Sequence, residues 1–241
     1  MSNLSHVMND IAPTGVLRVA INYGNPVLAQ RHPQKPDPQG VSADLARELA
    51  KRLGLAHRFI SFEAAGEVFN AVTDGVWDVA FMAIDPRRAE AVEFTEPYVL
   101  IEGTYIVPEG DTRQSVNDFD VAGNLIAVGK GAAYDLFLTR HLKHASLLRV
   151  ATSAEAIRAF VSGQADCAAG VRQPLLAYAG EHPGYRVIED SFTSIKQAMA
   201  VPRGRKTAHA YLQKFIAEMK TSGFIAQALK NSNQQAATIA P

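Results

Sequence analysis

A chain of 241 residues has room for one large or two small domains, and its 47% hydrophobic and 20% charged residues set it among globular chains and against disordered ones. Lys and Arg (24) balance Asp and Glu (24), which leaves no electrostatic footprint for nucleic acid or an anionic membrane surface. The lone Cys167 excludes an internal disulfide framework and a cysteine-rich metal site, and no apolar run reaches the roughly 18 residues of a membrane span.

The opening segment, MSNLSHVMNDIAPTG, has neither the cationic start nor the apolar core of a secretory signal. It predicts a cytoplasmic protein if this N-terminus is native and a periplasmic one if a leader has been removed. Val16–Ile21 reads as a strand. Ser42 is predicted to cap a helix whose Leu45, Leu49 and Leu53 share one stripe, with Gly54 as its stop. Strands at His57–Phe62 and Trp77–Met82 flank a helix over Ala65–Thr73, and Gly103–Val107 is a further apolar run closed by Pro108-Glu109-Gly110. The rhythm then restarts. Asn124–Val128 is strand-like, and Ala133–Leu142 is helical, with Tyr134, Phe137, Leu138, His141 and Leu142 as its buried face. Thr152-Ser153-Ala154-Glu155 has the form of a capping box, opening a helix that stops at Gly163. Strands at Ala165–Ala169 and Tyr185–Ile188 enclose another helix. Lys196–Val201 ends in Pro202-Arg203-Gly204, helices follow at about 206–220 and 222–230, and the tail from Asn231 reads as frayed.

Alternating short strands and amphipathic helices imply an α/β fold built from βαβ units. Restarts near 16 and 124, and two strands that each run into a Pro-x-Gly turn, point to two similar lobes, the second inserted in the first. The predicted division is 1–107 plus 197–241 for lobe 1 and 108–196 for lobe 2. Seven scattered histidines, with His141 and His144 lacking a nearby carboxylate or thiol, give no metal site, and no cofactor motif stands out. There is no Gly-x-Ser-x-Gly elbow, and Cys167 lies in an apolar strand as a core residue.

Three segments carry a resemblance. Gly40-Val41-Ser42-Ala43-Asp44-Leu45-Ala46, the run WDVAFMAIDPRRAEAVEFTEPY from Trp77 to Tyr98, and Ala198-Met199-Ala200-Val201-Pro202-Arg203-Gly204 are together similar to the type 2 bacterial solute-binding proteins that serve polar-amino-acid ABC transporters. The likeness extends from about 14 to 230. It implies a two-lobed, periplasmic-binding-protein-like (type II) clamshell with two hinge strands. The implied protein is a non-catalytic monomer that traps a small carboxylate-bearing, amino-acid-like ligand and presents it to a membrane transporter component. The scaffold also resembles that of the cyclohexadienyl dehydratases, so a carbon–oxygen lyase is the rival reading, and a cytoplasmic metabolite sensor is a third.

The resemblance assigns Arg88 to the ligand's α-carboxylate, a role suited to a guanidinium fork that stays charged when dehydrated; a surface pairing with Glu90 or Glu93 is the alternative. Ala83 and Asp85 are implied beside it. Asp85-Pro86 is equally a helix-start signature, so Asp85 either caps the turn, receives a ligand amino group, or does both. Asn22, Tyr23 and Asn25 follow the first strand, where the family places a ring over the ligand side chain. Gly131, Ala132 and Ala133 form a strand-to-helix junction that offers backbone donors to an anion, with Lys130 either adding charge or lying in solvent. Where the family commonly has a second-lobe aspartate for the ligand ammonium, this chain has Val171, then Arg172 and Gln173. Either the ligand lacks an ammonium, or it carries a second acidic group met by Arg172, or Asp85 or Glu102 receives the ammonium; Glu102 could equally form a hinge salt bridge.

Overall fold

Three parallel strands set the frame of the first half of the chain. In the computed structural model, which describes residues 2–241, helix α1 (Ser2–Ile11) precedes β1 (Val16–Asn22). The short strands β2 (Gln30–Arg31) and β3 (Pro38–Gln39) pair antiparallel ahead of α2 (Val41–Leu53). Then come β4 (Ala56–Phe62), α3 (Ala65–Asn70), β5 (Val79–Ala83) and β6 (Val92–Phe94). β1 lies parallel to both β4 and β5, so α2 and α3 are the crossover helices that parallel pairing requires. The predicted stripe is the buried one: Leu45, Leu49 and Leu53 of α2 are all in the core, and Gly54 ends the helix in the left-handed conformation, φ 63°.

Ser42 does not cap α2. Gly40 holds that position at φ 107°, where a Cβ would come within 2.6 Å of the Leu28 carbonyl oxygen, so only glycine fits. Ser42 is already helical and buried, its hydroxyl 3.4 Å from that of Tyr98. The α3 helix is shorter than expected, and Trp77 anchors its end by donating Nε1–H to the Val68 carbonyl at 2.9 Å.

The chain divides into two compact units, one running to Leu100 and resuming over Lys196–Pro241, the other Ile101–Ile195. The first crossing falls inside β7 (Val99–Pro108) rather than at its Pro108 end, because Gly103–Ile106 already pair with a second-unit strand. That unit adds β8 (Leu125–Gly129), α4 (Ala133–His141), β9 (Ser146–Val150), α5 (Ser153–Val161), β10 (Cys167–Val171), α6 (Arg172–Glu181) and β11 (Tyr185–Val187). β9, β8 and β10 are parallel neighbours, and β7 closes against β10 antiparallel. Ile106, Ala127, Ala156, Phe160, Ala168 and Leu175 fill the core over this sheet. The capping box forms in full: the Thr152 hydroxyl accepts from the Glu155 amide at 3.1 Å, and the Glu155 carboxylate accepts from the Thr152 amide at 3.2 Å. On α4 the buried side chains are Tyr134, Asp135 and Leu138, whereas Phe137 and His141 stack on each other nearer the surface.

The return strand β12 (Thr193–Pro202) pairs antiparallel with β5 and β6 in the first unit, followed by α7 (Lys206–Thr221) and α8 (Phe224–Asn231). One segment contradicts the sequence reading, and another forms an element that the reading did not assign. The tail is not frayed: β13 (Thr238–Ile239) pairs with Val99 and Leu100, which gives its backbone groups partners. Residues 2–11 form α1, which buries Val7 and Ile11, and its Asp10 carboxylate accepts from the Ala208 amide at 2.8 Å in the first turn of α7. No helix among the described residues is long and apolar enough to cross a membrane.

Candidate functional site

Because β1 and β5 are parallel neighbours, they end on the same edge, and the loops beginning at Asn22 and Ala83 leave the sheet side by side. The carboxyl ends of parallel strands are where open α/β sheets bind ligands. The second loop is built around Asp85-Pro86. The Asp85 Oδ1 accepts from the Arg87 amide at 2.9 Å, and its carbonyl accepts from the Ala89 amide at 2.9 Å, starting a short 3-10 turn over Arg88–Glu90. Asp85 therefore holds the backbone that leads into the 3-10 turn.

That turn decides between the adjacent arginines. Arg87 projects outward, while Arg88 is 1% exposed and donates Nη1–H to the Ala83 carbonyl at 3.0 Å. Burial pulls the Arg88 pKa down to about 10, opposed by the negative charge of Asp85, itself 4% exposed. The guanidinium is still charged at neutral pH, and a dehydrated cation attracts an anion far more strongly than a hydrated one.

In the neighbouring loop the Asn22 Oδ1 accepts from the Gly24 amide at 2.9 Å, and the Tyr23 amide donates to the Phe62 carbonyl at 2.9 Å. The Tyr23 ring is covered on one face by the Arg31 guanidinium, 4.2 Å from its centroid, and Arg31 is in turn paired with Glu63. Asn25 is 9% exposed; its backbone carbonyl accepts from the Leu28 and Ala29 amides, but its side-chain Oδ1 has no donor among the described residues. An orphaned buried acceptor is costly unless something arrives to donate to it.

In the second unit the β8–α4 junction receives an anion from its own chain. The Gly131 amide donates to the Asp135 carboxylate at 2.7 Å, the Ala132 amide to the Gly129 carbonyl at 3.1 Å, and Asp135 is held from its other side by Arg149 at 2.9 Å. Ala132 and Ala133 bring no hydroxyl, and Lys130 is exposed. Glu102 and Arg172, both among the expected site residues, are paired with each other. Arg172 also donates to the carbonyls of Ile188 and Asp190, each at 3.0 Å.

Within the first unit, then, the structure brings Ala83, Asp85 and Arg88 together and sets Asn22, Tyr23 and Asn25 on the adjoining strand end. Within the second it joins Glu102 to Arg172 and leaves Gly131, Ala132 and Ala133 at a separate strand end. Sequence reasoning missed Arg31 and Glu63, which frame Tyr23, and it gave no role to Gln173, whose Oε1 is buried without a donor among the described residues. The Arg31–Glu63 pairing has no local sequence signal, since its partners are 32 residues apart. No group of three or more His, Cys, Asp or Glu is gathered as a metal site among the described residues. Cys167 is buried, and its thiol is pushed up to about 12 by desolvation, as befits a core residue.

Residues 17–233 match the family model for bacterial extracellular solute-binding proteins, family 3. An amino-acid-binding protein of Dichelobacter nodosus is 23% identical over 219 residues, covering 87% of this chain and 85% of that protein. Among solved structures, the solute receptor for L-cysteine of Neisseria gonorrhoeae superposes with a TM-score of 0.81 at 25% identity, covering 93% of this chain and 92% of that one. An ancestral amino acid-binding protein, described as a precursor of cyclohexadienyl dehydratase, superposes with a TM-score of 0.78 at 24% identity, covering 93% and 98%.

Proposed function

This chain belongs to the family 3 bacterial extracellular solute-binding proteins, and from that premise we propose that it binds a small amino-acid-like solute through the solute's carboxylate, with Arg88 as the anchoring charge. The observation that carries the reading is the burial of that guanidinium at the edge where β1 and β5 end, beside Asp85 and next to a loop with an orphaned acceptor on Asn25. A dehydrated guanidinium makes two parallel hydrogen bonds to a carboxylate, which fixes orientation as well as affinity. The amino-acid class is supported by the relatives, which are described as binding amino acids. We further propose that the protein acts as a monomer outside the cytoplasm and hands its solute, chemically unchanged, to an ABC-type transporter.

A thermal-shift screen of the common L-amino acids, dicarboxylates and keto acids tests this. The expected result is a rise in melting temperature that grows with concentration as mass action requires, with the solute recovered intact by mass spectrometry. Conversion of prephenate or arogenate would establish the lyase reading instead. No stabilisation by any carboxylate would overturn the proposal.

A further inference from the structure

Three residues from distant parts of the chain stack together at the carboxyl edge of the first unit. Continuing the β1–β5 register past Ala20 and Ala80 sets Tyr23 opposite Ala83, the residue whose carbonyl holds the Arg88 guanidinium. Neighbouring strands lie about 4.8 Å apart, so the tyrosine stands one strand over from the anchor of the buried cation. The backbone beneath it is fixed. The Tyr23 amide donates to the Phe62 carbonyl at 2.9 Å, and a Cβ on Gly24 would come within 2.5 Å of the Glu63 carbonyl oxygen. The Tyr23 ring is half-buried, and the guanidinium of Arg31, in β2, lies over one face at 4.2 Å from the centroid. Glu63, just past the end of β4, completes the stack: its carboxylate pairs with Arg31, and its amide donates to the Glu67 carboxylate at 3.0 Å. The side chains of Arg31 and Glu63 are both largely exposed.

The face of a tyrosine ring is electron-rich and attracts cations. Here the chain brings its own cation to that ring. A second positive charge at the other face would meet a π system already polarised toward Arg31 and a like charge behind it, whereas a neutral or anionic group would meet no such penalty. Rejecting the wrong partner yields specificity as readily as holding the right one. Asp85, a further carboxylate at this edge, is buried and holds the Arg87 amide, so it offers an incoming cation little compensation. We propose that Arg31, set against Tyr23 and tuned by Glu63, is a specificity determinant that turns cationic side chains away from the open face of the ring. Neutral and acidic amino acids then bind better than basic ones of the same shape. Glu63 offsets part of the arginine's charge and so limits the discrimination. The proposal rests on the reading that Arg88 holds the solute's carboxylate, and adds that the solute's side chain reaches Tyr23.

The test is a calorimetric comparison of solutes matched in shape and unlike in charge: L-citrulline with L-arginine, L-norleucine with L-lysine, L-norvaline with L-2,4-diaminobutyrate, and L-glutamate with L-glutamine. In the wild type the neutral member of each bound basic pair binds more tightly than its cationic partner. Two charge variants move the ratio of every bound pair in opposite directions. Arg31→Gln, which leaves Glu63 alone, shifts it toward the more positive solute by about two- to fivefold, the scale of an exposed charge pair. Glu63→Gln, which leaves Arg31 uncompensated, shifts it about as far toward the less positive one. Arg31→Lys keeps the charge and holds the ratio near the wild-type value, which separates charge from packing. A wild type that prefers the cationic member, or ratios that the two charge variants leave unchanged or move in the same direction, overturns the inference and leaves the Arg88 reading intact. Binding confined to amino acids outside these pairs does the same, since charge at the ring would then not set the choice. If no amino acid binds, both readings fall together.

Discussion

The first unit holds a buried arginine–aspartate centre at each end of its parallel strands, and the two are built differently. At the end where β1 and β5 begin, the centre is an anion. Asp78 is 0% exposed and accepts from the Arg18 amide (3.0 Å), Nε (2.8 Å) and Nη2 (2.7 Å) and from Arg205 Nη1 (2.9 Å). It ties β1 to the approach to β5 and to the start of α7, while its two cationic partners reach partly into solvent. At the end where the strands finish, both Arg88 and Asp85 are buried, and Asp85 accepts from the Arg87 amide. An anion saturated by four donors is a staple. On the proposed function, the Arg88 end is the one that receives the solute's carboxylate. If the proposed function holds, stability and recognition are divided between the two strand ends.

The largest expected effect bears on the staple. Asp78→Ala strands two arginines around an empty site and costs about 3–5 kcal/mol of stability in urea denaturation, the range for removing one partner of a buried ion pair. A loss below about 1 kcal/mol would erase the distinction between the two ends. At the recognition end, Arg88→Ala weakens binding of the solute found by screening by about 2–5 kcal/mol, read by calorimetry, whereas Arg87→Ala leaves it nearly unchanged.

Two pH profiles sharpen the contrast. Burial alone would raise the Asp78 pKa, but hydrogen bonds from Arg18 and Arg205 more than reverse this and hold it below the usual carboxylate range. A carboxylate depressed on folding contributes stability above its unfolded pKa of about 3.9, and that stability is lost as the pH falls through the lower folded value. The melting temperature of the wild type therefore drops on the acid limb, and Asp78→Asn flattens that drop. Arg88 titrates at the other extreme: solute affinity stays level near neutrality and declines as the pH passes about 10, where the guanidinium loses its proton. The smallest effect lies outside both centres. Thr152→Ala removes the hydroxyl half of the α5 capping box and costs about 1 kcal/mol without altering solute affinity.

Features fixed by local chemistry were legible in the sequence. The Leu45, Leu49 and Leu53 stripe, the left-handed Gly54 and the Thr152–Glu155 box each depend on residues within a turn or two of one another. The burial of Arg88 rather than Arg87 was readable only through the family resemblance, since the 3-10 turn that separates them has no periodicity to detect. Ser42 was misread because its type suits a cap, whereas the close approach of Leu28 demands glycine one turn-start earlier. Helix α1 and strand β13 escaped because each is held by tertiary partners, the first turn of α7 and the Val99–Leu100 edge. Strand β9 is half-exposed along its length and lacks a clear alternation. The Arg172–Glu102 pair joins residues 70 apart in sequence, so residue type alone left open whether the arginine would face a ligand or its own chain.

The most direct test is a calorimetric titration of wild type, Arg88→Ala and Arg87→Ala with the amino acid that stabilises the wild type most, at neutral pH and after equal folding has been verified by circular dichroism. Saturable binding to wild type and Arg87→Ala, with a Kd for Arg88→Ala raised at least about thirtyfold, is the result the account predicts. Wild-type affinity in a folded Arg88→Ala protein would contradict it.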